Sequence, residues 1–572
     1  MRNYIYIFIL SSILTFFLFL PWTLHLTDSL PNIIDPLFYA WNFSHNTTAL
    51  LHSGKNLLDT NIFYPETNTL ALSDTLYGQM PIVFPIMLLS NNPILAENIA
   101  VFLTFPLATI AMYALLWYMT TSIPASFLGA MFYAFSYPRL SQIGHIPALS
   151  SQWLPLFILF LLKFFSKGNY KDLVLTVFFY LLSLTSTIYF GVFSTFPAII
   201  ITCAYIIYWW KIKQLRLLKD RLKKLALIAI PTCIIIFIVL FPYIRLKAEH
   251  LDIKRGLSET RYLKVQLIDY GTVLPTSILS TLRLPTRIDE HVLYPTMTLT
   301  VLSIIGLFIA LRKKKRIYIV FFLIGLVTFL LSFGPDQEIR IGEKLFTITL
   351  PYYYLYYVYP LIQIVRVPAR FSIFFILSLT VLSSYALSNI KSKKQHIVYG
   401  CIFLTFLFEI WQYNTPYVTV PTKDTLPPVY QWLTTTPENA IIVELPVKSI
   451  YKGILMEKQL MMPYAQLTED HVYAMETYRI YFSSFHGKRM LNGYSGFFPT
   501  VYNDNVNYLE FFPTPDSMYA LKSRHVRYIL IHAWQYRKTS WEKIQTNIQT
   551  FKELKLIKQF DNDYVYEIMD SV

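Results

Sequence analysis

The segment SLPNIIDPLFYAWNFSHNTTALL (residues 29–51), continued by NIFYPETNTLALSDTLYG (residues 61–78), is polar, acidic and broken by proline, and it stands between two strongly apolar runs. Three of its acids, Asp35, Glu66 and Asp74, are therefore carried on a loop that its flanks hold against a membrane surface. Asp35 opens IDPLFYAWN, where Pro36 suits the first turn of a helix and Asp35 stands at or next to its N-cap.

The flanking runs decide the class. Of the 572 residues, 54% are apolar and 17% aromatic, which excludes one soluble core and points to an α-helical polytopic membrane protein. A span needs about 20 mainly apolar residues. The first, Tyr4–Leu24, follows Arg2 and has no small-residue cleavage site behind it, so it reads as an uncleaved anchor. Ten more spans are expected at residues 95–119, 123–137, 147–165, 172–189, 190–210, 225–243, 294–311, 317–333, 368–388 and 396–413. The run 172–210 is too long for one span, and its division at 189/190 is weakly marked. Met80–Leu89, with two prolines and a helical length of only ~18 Å, belongs in the outer interface or in a re-entrant segment.

The formal charge of +15 is concentrated in short clusters between spans: residues 211–224, Arg312–Arg316 and Lys391–Lys394. That is the positive-inside pattern of a multi-pass plasma (inner) membrane protein, not a nucleic-acid footprint. With eleven spans, residues 1–413 form the membrane region, 25–94 its first extracytoplasmic loop, and 414–572 a soluble extracytoplasmic α/β domain. In that domain PPVYQWLTT and SWEKIQTNIQTFKEL read as helices, and AIIVELP, RYILIHAW and YVYEIM as strands. Cys203, Cys233 and Cys401 lie in apolar spans without partners and read as small buried hydrophobes.

Candidate chemistry gathers on the outer face. Asp35, Asp74 and Asp28 are candidate catalytic acids, and a carboxylate desolvated near a bilayer can be tuned as a base. Capping is the structural alternative for Asp35, and for Asp74 capping of the interfacial segment. His145 in SQIGHIPALSSQWLPLF is an interfacial ionisable residue, with Arg139 just ahead of it. Arg366 and Arg370 in RVPARF stand on the outer side against the positive-inside trend, and guanidinium forks suit phosphate. If that segment is helical, their i, i+4 spacing lets them converge. The stretch Phe333–Arg370 is crowded with tyrosine and suits a helix at headgroup level. Glu66 and, in HGKRMLNGYSGF, His486, Lys488, Arg489 and Asn492 complete the candidate substrate-binding residues. No Walker loop, dinucleotide glycine pattern, H-E-x-x-H or G-x-S-x-G occurs.

DPLFYAW after the first span, with FYP (residues 63–65) and SDTLYG beyond it, resembles the first-loop acidic motif of the GT-C superfamily of integral membrane glycosyltransferases. GHIPALSSQWLPL, RVPARF, VELP, HGKRMLNGYSGF and VRYILIH look like a group of large bacterial membrane proteins within it. The resemblance implies a transferase taking a sugar from a polyprenyl-phosphate donor to an envelope glycan, lipid or protein acceptor, with Asp35 as base. It leaves a divalent metal ion open as cofactor, and Pro36 replaces the second acid that many members carry. A lipid-linked glycan flippase or exporter, or a catalytically silent assembly protein, would share the span pattern.

The eleven-span arrangement makes a topological prediction. Single cysteines at Tyr270 and Thr500 should react with an impermeant maleimide from the outside, and those at Arg216 and Lys314 only after permeabilisation. Labelling of 270 and 500 from opposite sides would refute the arrangement.

Overall fold

The computed structural model describes residues 2–52, 56–249, 256–288, 290–342, 344–391, 394–448, 461–468 and 470–569; Lys393 of the last basic cluster lies outside them. Helices occupy every stretch where a span is expected: Arg2–Leu18, Pro93–Thr120, Ile123–Ala134, Leu154–Lys167, Tyr170–Ser186, Ile188–Lys211, Leu215–Glu249, Met297–Arg312, Arg316–Ser332, Ser372–Ser388 and Gln395–Ile410. Among the described residues, five segments are long and apolar enough to cross a membrane by length and composition: Pro93–Thr120, Ile146–Lys167, Ile188–Lys211, Leu215–Leu246 and Pro368–Ser388. The remaining apolar helices are shorter. Seventeen residues extend roughly 25 Å against a hydrocarbon core of about 30 Å, so helix length alone does not establish eleven crossings.

The helix ends follow from local chemistry. Asn92 accepts from the Ile94 and Leu95 N–H groups at 3.0 and 3.1 Å, and Pro93 opens the helix behind it. The long 172–210 run breaks at Thr187, which is extended (φ −159°, ψ 137°), two residues before the expected division. Ser372–Ser388 is buried along nearly its whole length at the centre of the bundle. Small residues let its neighbours approach: a methyl group on Gly306 would overlap the Leu382 carbonyl oxygen, and one on Gly325 would meet Ser378.

Beyond the bundle, a five-stranded sheet runs in the order Arg489–Met490, Ile441–Leu445, Tyr528–His532, Asp563–Ile568, Leu554–Phe560. The first three strands are parallel and the last two antiparallel to their neighbours. The helix expected over 540–554 is observed as Lys538–Ile548, because Leu554 already begins a strand. Helix Val472–His486 was not foreseen; twelve of its fifteen residues are buried, and no amphipathic stripe marks it.

Two departures concern the surface. In the Phe333–Arg370 stretch, the aromatic helix Pro351–Val358 is preceded by an exposed antiparallel hairpin, Asp336–Ile341 with Lys344–Thr349. The three cysteines are exposed on the outsides of their helices, not buried, because the apolar positions of a membrane helix face lipid as readily as protein.

The first loop joins the two parts of the chain. Ser29–Leu30 pairs antiparallel with Val418–Thr419, and the Val420 N–H donates to the Asp28 carbonyl at 2.8 Å. Further on, the Phe63 and Tyr64 N–H groups donate to the Asn492 and Met490 carbonyls at 3.0 and 2.9 Å, and the Met490 N–H to the Asn61 carbonyl at 2.8 Å. The loop thereby hydrogen-bonds the backbone at and just past the Arg489–Met490 edge of the sheet.

Candidate functional site

Asp35 is the first residue of helix Asp35–Leu51. The chain leading to it is tied down by Asn98, whose Nδ2 donates to the Leu26 and Ser29 carbonyls at 2.7 and 2.8 Å. The carboxylate of Asp35 does not cap its helix. Its Oδ1 accepts from the Tyr494 hydroxyl at 3.0 Å, and its Oδ2 lies 3.7 Å from His145 Nε2. With 37% of its side chain exposed, Asp35 remains open to a reactant.

His145 opens the short helix Ile146–Leu149 and accepts from the Ala148 N–H at Nδ1, 3.3 Å. The other ring nitrogen, Nε2, faces both Asp35 Oδ2 and the donor-only guanidinium of Arg370. Burial, and then the charge of Arg370, push the His145 pKa down to about 4. Tyr39, one turn along from Asp35, meets the imidazole edge-on at 5.6 Å.

Arg370 holds Glu290 with two bonds of 2.8 Å, through Nε and Nη2. Its Nη2 is 3.3 Å from His145 Nε2, and its guanidinium lies 4.3 Å over the Tyr189 ring. The Arg366 N–H donates to the Tyr189 hydroxyl at 2.9 Å, and its guanidinium lies 3.8 Å from Glu259. Both arginines reach Tyr189, Arg366 through its backbone N–H and Arg370 through its guanidinium, but not along one α-helix: Val365 and Val367 are extended, and Pro368–Phe371 is a single tight turn.

Asp74 is a cap, though not of the interfacial segment. Its carboxylate accepts from the Ile188 N–H and the Thr187 hydroxyl, both at 3.0 Å, and so caps helix Ile188–Lys211 at the Thr187 break. Burial raises its pKa, against the lowering by the Ile188 bond, Arg370 and Thr187. Through this cap the first loop sets the turn that carries Tyr189.

Other expected residues lie elsewhere. Arg139 is sealed inside, bonded to the Ala134, Leu149 and Thr104 carbonyls and to Ser151, where it ties helices together. Asp28 accepts from its neighbour Ser29 at 2.9 Å, and the Glu66 N–H closes a turn onto the Phe63 carbonyl. His486 is buried and accepts from the Lys488 N–H, while Lys488 Nζ donates to the Thr436 carbonyl. Arg489 stacks over Tyr64 at 4.9 Å. Asn492 bonds the Glu444 backbone and Glu476.

Sequence reasoning missed Tyr39, Tyr189, Glu290 and Tyr494. Only Tyr39 had a local signal, its i+4 spacing from Asp35. Among the described residues no three His, Cys, Asp or Glu side chains come together as metal ligands. Asp35 and His145 offer two donors beside a guanidinium, and both oxygens of Asp74 are engaged, so this donor set does not fit a divalent ion.

No protein-family model and no curated protein matches the chain. Its structure is similar to that of the archaeal oligosaccharyltransferase AglB from Archaeoglobus fulgidus in complex with an inhibitory peptide and a dolichol-phosphate. The TM-score is 0.47 at 13% identity, over 93% of this chain and 69% of that one. The A. fulgidus oligosaccharyltransferase tethered to an acceptor peptide containing the NVT sequon gives 0.43 at 11%, over 99% and 74%; its apo form gives 0.42 at 12%, over 92% and 69%.

The His145 environment predicts a pH dependence. A pKa of about 4 in the folded chain, against an ordinary 6.5, means that protonation favours unfolding. This contribution is complete above pH 6.5 and is lost as pH falls toward 4. Thermal unfolding in detergent should show the His145→Gln variant losing less stability than the parent across that window; equal losses would contradict the assignment.

Proposed function

We propose that the chain is an integral membrane glycosyltransferase with eleven crossings in the plasma (inner) membrane and its sheet domain outside, moving a sugar from a polyprenyl-phosphate donor to an extracytoplasmic acceptor. The observation that carries this reading is a partly exposed carboxylate, Asp35, held by the Tyr494 hydroxyl and facing His145, which Arg370 meets from the other side. A lipid phosphate must stay at headgroup level while its tail lies among the helices.

In the proposed reaction the acceptor hydroxyl gives its proton to Asp35 Oδ2 and its oxygen attacks the anomeric carbon. The bond from that carbon to the donor phosphate breaks, and the lipid phosphate departs with the bonding electrons. Direct displacement inverts the anomeric centre. Neutral His145, its Nε2 facing Oδ2, flanks the carboxylate without competing for the proton. Arg370 and Arg366 receive the charge that develops on the phosphate. The acceptor, whether envelope glycan, lipid or protein, enters from the side of the sheet domain, where Tyr494 approaches. The exporter reading would need ionisable groups deep within the helices; Glu97 is fully buried but lies in the first two turns of Pro93–Thr120.

Asp35→Asn is the direct test, because the amide keeps the shape and the acceptor oxygen but takes no proton. Transfer of labelled sugar from a polyprenyl-phosphate donor should fall about 10²-fold or more with folded yield unchanged. Near-normal transfer would end the general-base reading.

The Arg370–Glu290 pair also predicts opposite effects on donor binding. A phosphate that takes Arg370 must displace the Glu290 carboxylate. Arg370→Ala should weaken binding of undecaprenyl phosphate about tenfold or more, and Glu290→Gln should tighten it. Calorimetry in nanodiscs showing no change in either variant would remove Arg370 from the donor site.

A further inference from the structure

Tyr494 reaches Asp35 across 459 residues of sequence, and a single hydroxyl bond cannot hold a loop there by itself. What holds it is a buried carboxylate. Glu476, on helix Val472–His486 and 1% exposed, accepts from the Gly493 N–H at Oε2 (3.0 Å) and from Asn492 Nδ2 at Oε1 (3.1 Å). Asn492 in turn pairs with the backbone of strand Ile441–Leu445, its Oδ1 accepting from the Glu444 N–H at 2.8 Å and its Nδ2 donating to the Glu444 carbonyl at 3.0 Å. Arg479 balances the charge, donating to Glu476 at 2.6 Å, to the Pro446 carbonyl at 2.9 Å and to Gln535 at 3.0 Å.

The other side of the loop is equally constrained. A methyl group on Gly493 would overlap the Phe63 ring, so the loop lies flush on the first loop of the membrane region. Tyr494 packs edge-on against Phe38, one turn into the Asp35 helix, at 5.7 Å. Helix Val472–His486 touches the same stretch, its Thr477 hydroxyl 3.3 Å from the Ile33 carbonyl. Glu476 thus sits on a helix that contacts the chain just ahead of Asp35 while fixing the loop that carries Tyr494.

We propose that Glu476 is a positioning residue for Asp35: through Gly493 and Asn492 it sets the Tyr494 hydroxyl on Oδ1, which leaves Oδ2 as the oxygen facing His145 and the acceptor. For its effect on rate this rests on the general-base reading; for the geometry it does not. A carboxylate whose two oxygens are distinguished in this way presents one lone-pair direction to the incoming proton, a condition for efficient transfer.

Two measurements test it. With 3-fluorotyrosine at position 494 in the full chain in nanodiscs, the ¹⁹F resonance reports the hydroxyl bond, and Asp35→Ala marks its position when the bond is gone. Glu476→Gln should move the resonance to that position, and so should Asn492→Ala, which removes the second support should Glu476→Gln not fold. A resonance unmoved in either folded variant overturns the proposal, whatever the chain catalyses. In sugar transfer from a polyprenyl-phosphate donor, Tyr494→Phe and Glu476→Gln should each cost about tenfold, and the double variant no more than the single ones, because both act through one bond. Multiplicative losses would give Glu476 a separate structural role and refute it. If Asp35→Asn transfers normally, the general-base reading falls while the resonance test still decides the positioning.

Discussion

Three backbone hydrogen bonds between residues 61–64 and 490–492 are the contact on which the candidate site depends. A polar loop between two membrane helices must find partners for its N–H and C=O groups, and a small sheet must cover its edge. Here each requirement meets the other. The loop finds its partners along the sheet edge, and the edge leads into the loop that presents Tyr494. Without that pairing Asp35 would have a helix beneath it and no hydroxyl above.

The second constraint is charge balance at low dielectric. Arg370 is nearly buried and persists there because Glu290 matches its fork and Tyr189 lies beneath it. Arg139, equally buried, has no carboxylate and is satisfied by carbonyls instead. The two arginines illustrate different uses of one side chain. Arg139 commits four of its five N–H groups to protein oxygens, whereas Arg370 pairs its fork with a single carboxylate.

Much of the helical framework was legible in the sequence, because apolar runs of span length are written continuously along the chain. Asp35, His145, Arg366 and Arg370 were legible for a related reason: an ionisable residue at the end of an apolar run stands out against its neighbours. Tyr494 and Glu290 were not, since their roles come from pairings hundreds or tens of residues distant and neither type is unusual where it stands. Asp74 shows an intermediate case. A capping carboxylate was readable, but its helix begins more than a hundred residues later, and only the fold reveals which one. Arg139 misled because a guanidinium beside a membrane looks the same in sequence whether it meets phosphate or carbonyl oxygen. The cysteines misled because hydropathy does not tell lipid from protein.

The distance in sequence between Asp35 and Tyr494 has a consequence for how the molecule comes into being. At about 5–20 residues per second, the ribosome adds the intervening 459 residues over roughly half a minute to a minute and a half. Through that interval the first loop exists while the residues that pair with it, 490–492, have yet to be synthesised. The Asn61 carbonyl and the Phe63 and Tyr64 N–H groups then lack the backbone partners they have in the folded chain. The two halves of the candidate site can meet only after Tyr494 has been added, so its assembly comes late in the growth of the chain.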